Sequence, residues 1–124
     1  MKLAITSGDG NPASPFSPRF GRSNYFLFVD STVEESGDGE WTARENPAAD
    51  AHGGAGPQAV KFLADHQVEA VISGRFGPKA FRALEEAGIT PFAVEADTPE
   101  GLLAKFQDGK FTPAGAASGP GFHS

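Results

Sequence analysis

Cysteine is absent from the 124 residues. No disulfide framework is therefore available, and any metal must be held by His, carboxylate or backbone groups, or must bring its own ligands. Long apolar runs are also missing. Met1-Lys2-Leu3-Ala4-Ile5-Thr6 goes straight into a strand-like segment with no apolar signal-peptide core, so a cytoplasmic protein without a membrane span is expected. Positive charge is scarce: 10 Lys and Arg stand against 16 Asp and Glu, for a net charge of -6. Broad binding to a phosphate backbone needs clustered Lys and Arg, so nucleic acid is excluded as an expected partner.

The length suits a single core that needs no staples. Lys2 to Thr6 is a short apolar run halted by the turn-forming Ser7-Gly8-Asp9-Gly10-Asn11-Pro12, which predicts a buried first strand. Tyr25 to Asp30, rich in aromatic and β-branched residues, predicts the second strand. Ser36-Gly37-Asp38-Gly39 forms a turn that returns Trp41 to Arg44 as the third. The pattern then alternates between helix and strand. Helices are predicted from Pro57 to His66, from Pro78 to a Gly88 stop, and from a Thr98 cap with Pro99 at the first position to a Gly109 stop. Strands are predicted at Ala70 to Ser73 and Ile89 to Val94; Pro91 assigns the latter to a sheet edge. The expected class is α/β, a mixed five-stranded sheet with element order βββαβαβα and strand two antiparallel. One domain spans residues 1–111, and residues 112–124, too poor in apolar surface to order, form a flexible tail.

In such a sheet strands one, three, four and five share their carboxyl edge, where open α/β sheets bind ligands. Three loops leave from that edge: Ser7 to Asn24, Asn46 to Gly56, and Gly74 to Gly77. His52-Gly53-Gly54-Ala55-Gly56-Pro57 and Gly74-Arg75-Phe76-Gly77-Pro78 place glycines directly before helix N-termini, where free N–H groups and the positive dipole end favour an anion. Ser17-Pro18-Arg19-Phe20-Gly21-Arg22, with Arg75, gathers three guanidinium groups at the edge of an acidic protein, and Lys79 is a fourth positive group. A bulky anion is the expected guest. The plainer alternatives are turn chemistry for the glycines, pairing with Asp9 or Glu45 for the arginines, and a solvated loop position for His52. Phe20 and Phe76 are either core anchors of their loops or apolar walls of the pocket.

Ser17-Pro18-Arg19-Phe20-Gly21-Arg22 followed by Tyr25-Phe26, then Asn46-Pro47-Ala48, His52-Gly53-Gly54-Ala55-Gly56, and Gly74-Arg75-Phe76-Gly77-Pro78-Lys79-Ala80-Phe81 resemble the dinitrogenase iron–molybdenum cofactor biosynthesis family. That family includes NifX-type and NafY-type carriers, the C-terminal domain of NifB and small stand-alone proteins, some with molybdenum–copper sulfide clusters. The resemblance covers nearly the whole chain up to Phe111. It implies a ribonuclease H-like three-layer sandwich and an anionic metal–sulfide cluster of iron–molybdenum or molybdenum–copper type, bound non-covalently or through few ligands. The implied partners are a cluster-handling ATPase or a cofactor acceptor protein, with the carrier a monomer or weak dimer. A cluster that supplies its own sulfides needs no Cys and suits guanidinium groups and backbone N–H donors. Arg19 stands where many relatives place a His before Phe-Gly, so His52 is the expected metal ligand. The expected cofactor-binding residues are Arg19, Phe20, Gly21, Arg22, His52, Gly53, Gly54, Gly74, Arg75, Phe76 and Gly77.

Competing functions fit less well. A ribonuclease H-like nuclease needs carboxylates converging at strand ends to hold divalent ions, and strands one and four carry none. A nucleotide or phosphometabolite binder lacks both the Gly-x-x-x-x-Gly-Lys-Ser/Thr pattern and a Gly-x-Gly-x-x-Gly motif after strand one. A regulatory or assembly domain whose loops bind another protein is the third alternative. With no recognisable nucleophile–base pair, no enzyme is expected.

Overall fold

The computed structural model describes residues 1–30, 41–50, 54–95 and 97–114. The expected turn at Ser36 to Gly39 lies outside these residues, as do His52, Gly53 and the tail from residue 115 onward. The elements run β1 (Lys2–Ser7), β2 (Tyr25–Asp30), β3 (Thr42–Glu45), α1 (Ala55–Asp65), β4 (Ala70–Ser73), α2 (Pro78–Ala87), β5 (Thr90–Ala93) and α3 (Pro99–Gln107). The sheet order is β3-β2-β1-β4-β5. β2 is antiparallel to both β1 and β3, whereas β1, β4 and β5 are parallel neighbours. Strands β1, β3, β4 and β5 therefore point the same way, and their carboxyl ends share one edge.

Side chains alternate across a strand, so each central strand feeds two apolar layers. Ala4, Phe26, Phe28 and Val71 face one layer, filled by Ala59, Val60 and Leu63 of α1 and Ala80 and Leu84 of α2. Leu3, Ile5, Val29, Ala70, Ile72 and Phe92 face the other, covered by Leu102 and Leu103 of α3. Two helices thus lie on one face of the sheet and one on the opposite face. Burying a Leu or Phe in such a layer stabilises by about 1.5–3 kcal/mol relative to exposure.

Element boundaries differ from the sequence expectation where turn chemistry is unmarked. Helix α1 begins at Ala55 instead of Pro57, because left-handed Gly54 (φ 69°) turns the chain in and Gln58 N–H donates to Gly54 O at 3.0 Å. Pro57 is tolerated there because first-turn N–H groups have no intrahelical acceptor. The exit from α1 runs through Gln67 at φ 60°, a left-handed residue without the glycine that usually signals one. β3 is displaced by one residue from the expected Trp41–Arg44, leaving Trp41 packed against the α3-face layer. β5 is shorter than Ile89–Val94 because Ile89 closes α2 instead, its N–H donating to Leu84 O at 3.0 Å. Pro91 lies on an edge strand as expected, and its carbonyl accepts from Ala114 N–H at 2.8 Å. Among the described residues, no helix is long and apolar enough to cross a membrane.

Candidate functional site

A cavity of about 520 Å³ opens at the carboxyl edge, on the face that carries α1 and α2. Its lining comes from the loop after β1 (Arg19 to Arg22), the first turn of α1 with its cap (Gly54 to Pro57), and the chain from Arg75 through Gly77 into α2. Two of the three expected loops meet there directly, and the third contributes its end at Gly54.

Close backbone approach brings these segments together. A Cβ on Gly21 would stand 3.1 Å from the Gly56 nitrogen, and one on Gly56 would stand 2.8 Å from the Ala80 Cβ. The loop therefore rests on the first turn of α1, which in turn rests on the first turn of α2. A Cβ on Gly74 would stand 2.9 Å from Pro18 O, so Gly74 seats the first loop beneath the cavity without lining it. Asn46 fixes the same loop from the side. Its amide donates to Ser23 O at 2.8 Å and Gly21 O at 3.3 Å, while its side-chain oxygen accepts from Ala48 N–H at 2.9 Å. Ser23 Oγ donates to Phe20 O at 3.2 Å.

Phe20 and Phe76 resolve to core anchors. Each is 1% exposed, and their rings meet in a tilted contact with centroids 5.2 Å apart. Phe20 borders the cavity, whereas Phe76 lies in the core beneath it. Anchored in this way, the flanking Arg19 and Arg75 project as exposed residues.

Arg19 and Arg75 are partners in an isolated parallel bridge, with Phe20 N–H donating to Arg75 O at 3.3 Å. Two like charges at directly paired positions repel each other, and among the described residues no acidic side chain lines the cavity. Among the described residues, neither guanidinium makes a hydrogen bond or ion pair, so the expected alternative of pairing with Asp9 or Glu45 is not realised for this pair. Arg22 reaches Ala49 O at 3.5 Å. Lys79 adds its ammonium from the first turn of α2.

The helix ends complete the electrostatics. Neither α1 nor α2 has a side-chain cap or an acidic residue in its first turn. α3 differs: the Thr98 side chain accepts from Gly101 N–H and Glu100 occupies its first turn. The two helices that reach the cavity thus keep their N-terminal N–H groups and positive dipole ends available, and the one on the far face does not. This arrangement can hold an anion by charge, by backbone donors and by the apolar surface of Ala55, Pro57, Pro78 and Ala80. Among the described residues, no group of three or more His, Asp or Glu could hold a metal ion.

Of the expected site residues, the structure therefore gathers Arg19, Phe20, Gly21, Arg22, Gly54, Arg75 and Gly77 around one cavity. It places Gly74 and Phe76 beneath it, and His52 and Gly53 lie outside the described residues. Ala55, Gly56, Pro57, Pro78 and Ala80 also line it without having been named as site residues. Their signal was positional, since the first turn after each glycine loop carries the free donors. His66 is used structurally: its ring packs at a tilt against Phe62 with centroids 4.4 Å apart, and Nδ1 lies 2.8 Å from Phe62 O.

Residues 1–109 match the family described as dinitrogenase iron-molybdenum cofactor. The chain is similar to the orange protein of Desulfovibrio gigas, solved in its apo form, with 30% identity and a TM-score of 0.84 over 95% of this chain and 96% of that one. A Thermotoga protein described as a candidate NifB protein superimposes with a TM-score of 0.79 and 31% identity, covering 97% of this chain and 98% of the other. An uncharacterised protein of Methanocaldococcus jannaschii is 29% identical over 110 residues, 89% of this chain and 88% of its relative.

Proposed function

The chain belongs to the dinitrogenase iron-molybdenum cofactor family, and from that premise we propose that it is a non-enzymatic carrier of an anionic metal–sulfide cluster, held at the carboxyl edge of the sheet. The cargo in this reading is an iron–molybdenum cofactor, its precursor, or a related molybdenum–copper cluster, passed to an acceptor protein or received from a cluster-handling ATPase. The carrier works in the cytoplasm as a monomer or weak dimer. The ribonuclease H-like assignment belongs to the same reading and is supported by the βββαβαβα order and the strand arrangement 3-2-1-4-5.

The observation that carries this function is the Arg19–Arg75 pair, which no described side chain neutralises, beside two helix N-termini without side-chain caps. Without an anion this edge concentrates like charge; with one, the guanidinium groups and N–H donors gain charge-assisted hydrogen bonds. The absence of Cys supports a cargo that arrives with its own sulfides. The lining supports a soft anion over a strongly hydrated one: among the described residues, Phe, Gly, Ala and Pro lie between the cationic groups, with no hydroxyl or amide side chain. His52, on sequence grounds alone, is the imidazole retained here as a direct metal ligand.

The test is anaerobic incubation with an iron–molybdenum cofactor precursor, and separately with tetrathiomolybdate plus copper, followed by desalting, visible spectra and metal analysis. Metal and sulfide co-eluting in fixed proportion are expected from the wild type, with loss of retention in Arg19→Ala and Arg75→Ala and a decline as ionic strength rises. Equal retention by wild type and both variants would reject this pocket. A colourless, metal-free wild type after both treatments would instead favour a small-anion or protein-binding module.

A further inference from the structure

Building on the carrier reading, we propose that the buried hydroxyls of Thr6 and Ser73 are positioning residues that hold the Arg19–Arg75 pair in register for its cargo. β1 and β4 run side by side with Ile5 opposite Ile72. Beyond that point the first loop takes over as the neighbour of the chain leaving β4. Phe16 bridges Ser7 antiparallel, and Arg19 bridges Arg75 in parallel. Thr6 and Ser73 sit where the neighbour changes, and both are 0% exposed.

The three oxygens at this junction form a closed group. Thr6 Oγ1 donates to Ser17 O at 2.5 Å and lies 3.0 Å from Ser73 Oγ, which is itself 3.4 Å from the same carbonyl. A hydroxyl in a dry layer is costly unless bonded, and valine or isoleucine would ordinarily fill such a central strand. Here the hydroxyls satisfy each other and a loop carbonyl, which links β1, β4 and the loop at one point. The backbone alone holds this stretch weakly: Ser17 N–H donates to Thr6 O at 3.1 Å, Pro18 has no N–H, and Phe20 N–H donates to Arg75 O at 3.3 Å. Pro18 rests directly on Gly74. Each linked position, Ser17 and Ser73, stands two residues before an arginine of the pair. The link opposes the splaying that two adjacent guanidinium groups would otherwise favour before cargo arrives.

Thr6→Val and Ser73→Ala remove one donor each, and Thr6→Ser retains it. Two readouts are taken: hydrogen exchange of the Phe20 amide in the cargo-free protein, and retention of tetrathiomolybdate after desalting. Exchange at Phe20 should accelerate roughly five- to tenfold in each of the first two variants, the loss of about one hydrogen bond, with Ile5 and Val71 amides unchanged. Retention should fall by a similar factor, and Thr6→Ser should restore both. Unchanged Phe20 exchange and retention would overturn the proposal, as would equal acceleration across the whole sheet, which marks a merely structural role. Should the wild type itself retain neither tetrathiomolybdate, with or without copper, nor the iron–molybdenum precursor, the carrier reading fails, while Phe20 exchange still decides whether the hydroxyls hold the arginine pair.

Discussion

Replacing Gly56 by Ala should destabilise the protein even though alanine is the better helix former. The new Cβ would stand 2.8 Å from the Ala80 Cβ, 3.2 Å from its Cα and 3.3 Å from its nitrogen. Two of those atoms are backbone, so no flexible side chain can swing aside and the first turns of α1 and α2 must separate. Forcing an extra carbon into a packed contact costs about 1–3 kcal/mol, offset by about 0.5–1 kcal/mol from the helix preference of Ala over Gly. A net loss of about 1 kcal/mol follows, read as a lower urea midpoint at unchanged slope and a melting temperature lower by about 4 °C. Both displaced turns line the cavity, so cluster retention should weaken as well. Gly8→Ala serves as the control, since a Cβ there meets nothing within 4 Å and its φ lies outside the left-handed region. As an exposed loop position, it should change stability by no more than about 0.5 kcal/mol. The double variant Gly56→Ala/Ala80→Gly removes the closest clash and should be more stable than the sum of its singles by about 0.5–3 kcal/mol. Wild-type stability in Gly56→Ala, or strict additivity in the double variant, would refute the packing argument.

Two further outcomes are expected. Asn46→Ala should cost about 1–3 kcal/mol in urea denaturation and weaken cargo retention, because it removes donors from the carbonyls of Gly21 and Ser23, which flank Arg22, and an acceptor from Ala48 N–H. Asp97 should impart acid sensitivity. Its carboxyl is held below the ordinary range by the hydrogen bond from the Lys105 ammonium and by the Thr98 N–H. A carboxyl lowered on folding stabilises above its unfolded pKa, about 3.9, and that stability disappears as pH falls through the folded value. Urea midpoints should therefore fall less steeply below about pH 4 in Asp97→Asn than in the wild type; identical profiles would remove Asp97 from the account.

Much of the fold was legible because its signals are local. Thr98, Pro99 and Gly109 bracket α3, and Gly88 at φ 74° ends α2, each by short-range backbone chemistry that a sequence displays directly. The entry and exit of α1 were less legible, since Gly54 turns the chain three residues before the proline and Gln67 adopts a left-handed conformation without glycine. The glycines of the site were visible as a group, but their separate duties were not. Gly54 supplies a positive φ, Gly21 and Gly56 allow close approach, and Gly74 seats Pro18. Phe20 and Phe76 left two readings open because an aromatic beside an arginine is equally compatible with a wall or an anchor until its burial is known.

By itself, the sequence determined the order of elements, the location of the anion-favouring loops and the exclusion of Cys-based metal or disulfide chemistry, since propensity, capping and composition act within a few residues. Only the tertiary structure decided that Arg19 and Arg75 become bridge partners, that α1 and α2 leave their first turns uncapped at one cavity while α3 closes its own, and that Thr6, Ser73 and Ser17 meet in a buried junction. These pairings join residues as many as 67 positions apart. They depend on strand order and register, which are set by how the two apolar layers pack and not by any local run of residues.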